Sequence, residues 1–185
     1  MKYTKEEHSL LLKLAKDSIA YGLKNHKAMS IDLQQYDPNL QKPEACFVTL
    51  KINGNLRGCI GSLVAHKPLV QDVVYNSYVA AFEDPRFMPL SEDEFPTLVI
   101  HISILSKSEP ISFISEQDLI SQLRPGIDGL ILSDVGHRGT FLPSVWDELP
   151  EPEMFLRHLK LKAGLSSDYW SEALRVERYT VEDIY

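Results

Sequence analysis

Two cysteines are the whole complement of this 185-residue chain, and no Cys-x-x-Cys spacing joins them. Neither a disulfide scaffold nor a cysteine zinc site is supported. No apolar run approaches the roughly 20 residues that a membrane span requires. The charged opening, MKYTKEEHSLLLKLAKDSIAYGLKN, does not read as a signal peptide, so no anchor is expected and the cytoplasm is the expected compartment. Basic residues are in deficit: 19 Lys and Arg stand against 26 Asp and Glu, a net charge of -7. That balance works against general attraction to a phosphate backbone and leaves nucleic acid only a local patch. Also missing are Gly-x-x-x-x-Gly-Lys, Gly-x-Gly-x-x-Gly, Gly-x-Ser-x-Gly and His-Glu-x-x-His, and with them most familiar cofactor chemistries. The six histidines, His8, His26, His66, His101, His137 and His158, do not pair at ligand spacing, so no metal and no cofactor is expected. Internal repeats and low-complexity tracts are absent as well.

What remains is the balance of an ordinary globular protein, with 44% hydrophobic and 24% charged residues, and a length that suits one well-filled core. A single domain over residues 1–185 is expected. Thr4 and Glu7 form a capping box, and Leu11, Leu14, Ala15, Ile19 and Leu23 repeat at helical spacing, which predicts a helix over about Lys5 to Asn25. The run ACFVTLKI then alternates, with Cys46, Val48, Leu50 and Ile52 on one face and Phe47, Thr49 and Lys51 on the other. Asn53-Gly54 signals a hairpin.

Loop length decides where the returning strand points its side chains, because a slip of one residue exchanges the two faces. A two-residue loop sets Arg57 opposite Leu50 and Cys59 opposite Val48, which puts a charge on the apolar face and is costly. A three-residue loop, Asn53 to Asn55, sets Leu56, Gly58 and Ile60 opposite Ile52, Leu50 and Val48 and leaves Arg57 and Cys59 on the face of Lys51 and Thr49. The second register is therefore expected, with Cys46 and Cys59 on opposite faces and unable to bond to each other.

Downstream, Pro68 opens a helix whose stripe is Leu69, Val70, Val73, Val74, Ser77, Ala80 and Ala81, and which stops before Pro85. Ser91 with Glu94 reads as a second capping box ahead of a short turn, and TLVIHISILS alternates with Leu98, Ile100, Ile102 and Ile104 on one face. Ser115 with Asp118 begins a short helix ending near Leu123, followed by the turn RPGIDG. LILSDVGHRGTFLP predicts a second hairpin with His137 and Arg138 at its tip. Pro152 opens a helix carrying Phe155, Leu156, Leu159 and Leu161 and closing at Gly164, and YWSEALRVERYTV predicts a last strand. Helices and strands alternate irregularly, which predicts an α+β fold with a mixed, largely antiparallel sheet flanked by helices.

Five features bear on chemistry or recognition. Cys59, between Gly58 and Gly61 and near Arg57 and Lys51, reads either as a thiol nucleophile favoured by positive charge or as a small apolar residue where another element packs close. Asp84 and Arg86, in EDPRFMPL, either orient a carboxylate-bearing partner by a forked guanidinium or stiffen the helix exit. His101 can serve as a base for Cys59 if their strands share a face, or can be a half-buried strand histidine. His137 and Arg138 are candidates for an anion or partner contact, and Phe141 with Trp146 marks either an interaction surface or the seam under the last helix.

The segments FVTLKINGNLRGCIGSL, AAFEDPRFMPL, LVIHISILSKSEPI, GIDGLILSDVGHRGTFLPSVWDE and FLRHLKLKAGLSSDYW together resemble the AMMECR domain family, also called AmmeMemoRadiSam system protein A, from Glu44 to Tyr179. The most specific piece is Leu56-Arg57-Gly58-Cys59-Ile60-Gly61. Ser62 stands where members often have threonine, and Asn76-Ser77-Tyr78 replaces a usual Asn-Ala segment. The resemblance implies a larger and a smaller lobe, with the Arg-Gly-Cys-Ile-Gly segment near the cleft between them. It also implies partners of the Memo type and the radical SAM type, encoded nearby or fused, and it supplies no reaction. Three readings follow: a binding component using Arg57, Gly58, Cys59, Gly61, Asp84 and Arg86; a thiol enzyme with Cys59 as nucleophile, His101 as base and Arg57 as anion stabiliser; and a nucleic-acid binder using Lys51, Arg57, Arg86 and Arg138. The absence of a complete catalytic constellation favours the first.

Overall fold

Thr4 and Glu7 cap α1 (Lys5–Asn25) reciprocally in the computed structural model, which describes residues 2–185. The Glu7 amide donates to Thr4 Oγ1 at 3.2 Å and the Thr4 amide to the Glu7 carboxylate at 2.7 Å. The described residues form two units: one runs up to Leu105 and includes Glu182–Tyr185, the other is Ser106–Val181. Each has a four-stranded sheet and helices, an α+β arrangement in which the strands divide between two sheets instead of gathering in one. No described helix is long and apolar enough to cross a membrane.

In the first unit the sheet order is β2-β1-β3-β8, formed by β1 (Ala45–Ile52), β2 (Asn55–Gly61), β3 (Val99–Leu105) and β8 (Val181–Ile184). The apolar face of β1 buries Cys46, Val48 and Leu50 completely, and Ile102 and Ile104 of β3 join them. Against β1 and β2 lies α2 (Leu69–Phe82), which also packs on α1. The helices approach closely at Gly22, where an added Cβ would sit 2.4 Å from the Phe82 ring. Every residue of the expected α2 stripe is buried, but so are Asp72 and Asn76. Both face Cys46: its thiol donates to the Asp72 carboxylate at 3.3 Å and accepts from the Asn76 amide at 3.7 Å.

The β1–β2 hairpin differs from the expected one. Ile52 pairs with Asn55, so the loop is the two residues Asn53-Gly54, both in the left-handed region at φ 51° and 79°. Asn-Gly fits that geometry because the turn needs positive φ at both central positions. A β-bulge then shifts the register between Leu50 and Lys51, and beyond it Gly58, Cys59 and Ile60 face Leu50, Thr49 and Val48. The loop was expected one residue too long, while the register past Arg57 matches expectation. Arg57 is the extra residue, so no charge is forced opposite Leu50.

The second unit holds β4 (Glu109–Pro110), β5 (Gly129–Asp134), β6 (His137–Phe141) and β7 (Arg175–Tyr179) in the order β4-β7-β5-β6, with α3 (Glu116–Gln122) and α4 (Pro152–Lys162). Its core gathers Leu119, Leu130, Leu132, Phe155, Leu156 and Leu159, and the Trp146 indole stacks on Phe155 at 3.7 Å. Trp146 and Phe141 therefore belong to the seam under α4, where Phe141 also meets Phe155 edge to face. The second hairpin turns at Val135-Gly136, so His137 and Arg138 are strand residues opposite Asp134 and Ser133 and not its tip. Leu161, expected in the buried stripe of α4, is 53% exposed, whereas Lys160 is fully buried and donates to Glu116 at 2.6 Å.

Gly58 lies directly under α2: a Cβ there would stand 2.2 Å from the Ala80 carbonyl oxygen, a backbone atom that cannot swing aside. Gly58→Ala should lower unfolding free energy in urea by about 1–3 kcal/mol, the usual range for overpacking, while Leu161→Gln changes it by less than about 0.5 kcal/mol. A cost for Gly58→Ala as small as that of Leu161→Gln would show that α2 and β2 are not in tight contact.

Candidate functional site

The site is built on β2, the outermost strand of the first sheet. Pairing turns the Cys59 side chain to the Thr49 face, and its thiol meets the Thr49 hydroxyl at 3.3 Å. Cys59 is half-buried and, like Cys46, free. The peptide groups of Cys59 do not stay open. Asp84 Oδ2 accepts the Cys59 N–H at 2.9 Å, and Arg86 Nη2 donates to the Cys59 carbonyl at 3.0 Å. The two side chains are themselves locked together, with Arg86 Nε and Nη2 donating to Asp84 at 2.9 and 2.7 Å and the Arg86 backbone N–H at 3.1 Å. Asp84 carries its carboxylate at 1% exposure. Its hydrogen bonds from Arg86 hold the carboxyl far below the usual carboxylate range, and they outweigh a burial that acts in the opposite direction.

A second ion pair stands beside this bracket. Arg57 Nε and Nη2 fork onto Glu94 at 2.7 and 3.0 Å, and Nη2 also donates to the Met88 carbonyl at 2.8 Å. The guanidinium, with the Ser91 backbone N–H next in size, brings the Glu94 carboxyl down to about 2. The Phe87 ring lies within reach of both cations, 5.8 Å from Arg57 Cζ and 5.4 Å from Arg86 Cζ. Arg57 Nη1 is buried and has no hydrogen-bond acceptor among the described residues.

Thr49 pairs with Cys59 on one side and with His101 on the other, so the thiol, the hydroxyl and the imidazole form a row on one face of the sheet. The imidazole is two strands from the thiol, about 10 Å by strand spacing, with Thr49 between them. Burial, then the Lys51 ammonium, lower the His101 pKa, opposed by Asp183. Its ring meets Tyr185 edge-on at 4.6 Å.

Arg57, Gly58, Cys59, Gly61, Asp84 and Arg86 are thus brought together, and Gly61 allows Phe47 and the Cys46 carbonyl to come close. Arg57 and Arg86, two of the four cations of the nucleic-acid reading, are each neutralised by a carboxylate. His137 and Arg138 belong to the second unit, and His137 Nδ1 lies 3.1 Å from the Ala163 carbonyl. Among the described residues no three His, Cys, Asp or Glu side chains are grouped to hold a metal ion. Glu94, Phe87 and Thr49 were not anticipated. The signal for Glu94 was present in Ser91-x-x-Glu94, and half of the expected box forms: Glu94 accepts the Ser91 N–H at 2.9 Å, but the Ser91 hydroxyl donates to the same carboxylate at 3.2 Å, which Arg57 shares.

Two outcomes follow. Because the folded-state Glu94 carboxyl titrates near 2 against an ordinary 4.5, its pairing stabilises the protein fully above about pH 4.5 and is lost as pH falls toward 2. The stability gap between wild type and Glu94→Gln, on the order of 1 kcal/mol at pH 7 after solvent screening, should close over that window; a gap that persists at pH 2 would mean that charge is not its cause. Iodoacetamide followed by intact mass should label the native protein once, at Cys59, with the label lost in Cys59→Ser. Cys46, fully buried with a thiol raised well above its ordinary range by burial and by Asp72, should react only after unfolding. Comparable native labelling of both thiols would contradict this geometry.

Comparison with known proteins agrees with these segments. A model of the AMMECR1 family matches residues 12–184. A protein of Saccharolobus solfataricus is 40% identical over 92% of this chain and 77% of its own length. A protein of Methanothermobacter thermautotrophicus is 35% identical over 98% of this chain and 97% of its own. The crystal structure of an uncharacterized protein from Pyrococcus horikoshii superposes with a TM-score of 0.91 at 32% identity, covering 99% of this chain and 93% of that one. With a family match over nearly the whole chain, relatives of this identity and a shared fold, the chain belongs to the AMMECR1 family.

Proposed function

We propose that the Leu56–Gly61 strand and its bracket form a binding site for a ligand or for a segment of a Memo-type or radical SAM partner. The observation that carries this reading is Arg57 Nη1, a buried donor with no acceptor among the described residues, beside a guanidinium fork already paired to Glu94. Buried polar groups are nearly always hydrogen-bonded, and an orphaned charged donor is costly. A carbonyl or carboxylate from a bound molecule satisfies it. The rest of the site supports recognition by fit: Arg57 and Arg86 are already neutralised, so a partner is selected by one hydrogen bond and by the half-buried Cys59 and Phe87 surfaces.

A thiol-dependent enzyme is the second reading, favoured by the Cys59–Thr49–His101 row, in which the Thr49 hydroxyl stands between thiol and imidazole. Co-expression with the two partner types separates the readings. The binding reading expects co-elution that survives Cys59→Ser and weakens at least tenfold in Arg57→Lys, which keeps the charge but loses the fork. No co-elution with either partner, together with covalent substrate adducts confined to Cys59, would replace it with the enzyme reading.

A further inference from the structure

The second unit carries a cluster that the Cys59 site does not use. Ser133 on the central strand β5 pairs with Arg138 of β6 on one side and with Arg175 of β7 on the other. Directly opposed residues point to the same face, so two guanidiniums flank one hydroxyl in a single cross-strand row. The neighbouring row, Gly139–Leu132–Val176, is buried and faces α4: a Cβ on Gly139 would meet Ala163 at 2.9 Å. The arginine row is therefore on the sheet face away from α4, and both arginines are exposed. Alternation turns His137 to the other face, which separates it from Arg138.

Three properties make this row more than scattered surface charge. The first is that its charges are uncompensated within the row: the Arg138 and Ser133 side chains have no hydrogen bond or ion pair among the described residues. The second is that Arg175 is pre-positioned, its Nη1 donating to the Glu172 and Leu174 carbonyls at 2.8 and 2.9 Å, which leaves Nε and Nη2 free to fork. The third is spacing. The flanking strands lie about 10 Å apart, a gap that two long side chains close over a central hydroxyl. Like charges so placed repel each other, and a single anion above Ser133 converts that repulsion into attraction.

We propose that Arg138, Ser133 and Arg175 form a binding site for a compact tetrahedral oxyanion, either inorganic phosphate or the phosphate of a monoester. Guanidinium forks match phosphate oxygens in pairs, and the serine hydroxyl adds a donor from below. The next residue of β7 on the same face is Glu177, whose side chain accepts from Ser108 at 3.0 Å beside the row. That carboxylate confines the attractive footprint to one anion and, with the net charge of -7, disfavours a nucleic-acid backbone.

The test uses the full-length 15N-labelled protein at low ionic strength, titrated separately with inorganic phosphate and phenyl phosphate. Saturable binding is expected below about 10 mM, with amide shifts centred on Ser133, Arg138 and Arg175. Affinity should fall at least tenfold in Arg138→Ala and in Arg175→Ala, and less in Arg138→Lys and Ser133→Ala, with each variant's fold read from the same spectra. Tighter binding of phenyl phosphate would identify an esterified ligand, and tighter binding of phosphate a free one. The proposal is overturned if neither probe saturates, if wild-type shifts centre elsewhere, or if the alanine variants bind as the wild type does.

Discussion

The carboxylate of Asp84 is the constraint on which the candidate site depends. It is buried to 1% exposure in its side chain, and its two oxygens receive a strand N–H, a loop N–H and a guanidinium. A charge so desolvated is tolerable only when every lone pair has a partner, so the loop after α2 cannot be moved without leaving an uncompensated anion in the fold. Through this one group the end of α2, the exit loop and β2 hold a common geometry, and the position of Cys59 follows from it.

The Arg57–Glu94 fork is a different kind of interaction. Arg57 is the unpaired residue of a β-bulge, and bulges re-aim a side chain that a regular ladder would send elsewhere. Here the redirected guanidinium meets a carboxylate from the turn preceding β3 and the Met88 carbonyl. The bulge reconciles two demands that conflict in a regular hairpin: an Asn-Gly turn of two residues, and an apolar partner for Leu50.

The elements were legible because their signals are local. Thr4 with Glu7, Ser115 with Asp118, Pro152 and Gly164 mark helix ends through capping chemistry that needs no tertiary contact, and the alternation of Cys46 to Ile52 reports a half-buried strand. Signals failed where two local rules competed. Asn53-Gly54 asked for one hairpin and the polarity of Arg57 for another, and neither contains the bulge that satisfies both. Lys160 and Leu161 exchange their expected burial because Glu116, distant in sequence, supplies the partner that lets a lysine enter the core. For the site, Arg57, Cys59, Asp84 and Arg86 could be singled out by residue type and neighbours. Their pairing could not, since it depends on how a helix exit lies against a strand, and Glu94 was hidden by a second, equally valid use of its carboxylate.

Because β2 is the edge of its sheet, its outward N–H and C=O groups would ordinarily be a template for another strand. At Cys59 both positions are filled by side chains, Asp84 imitating the carbonyl of a neighbouring strand and Arg86 its N–H. The chain thereby carries its own plug against edge-to-edge aggregation at the middle of the strand. A molecule docking at Cys59 finds both of its backbone groups already paired, so side-chain shape and not strand addition is the language in which this position can be read.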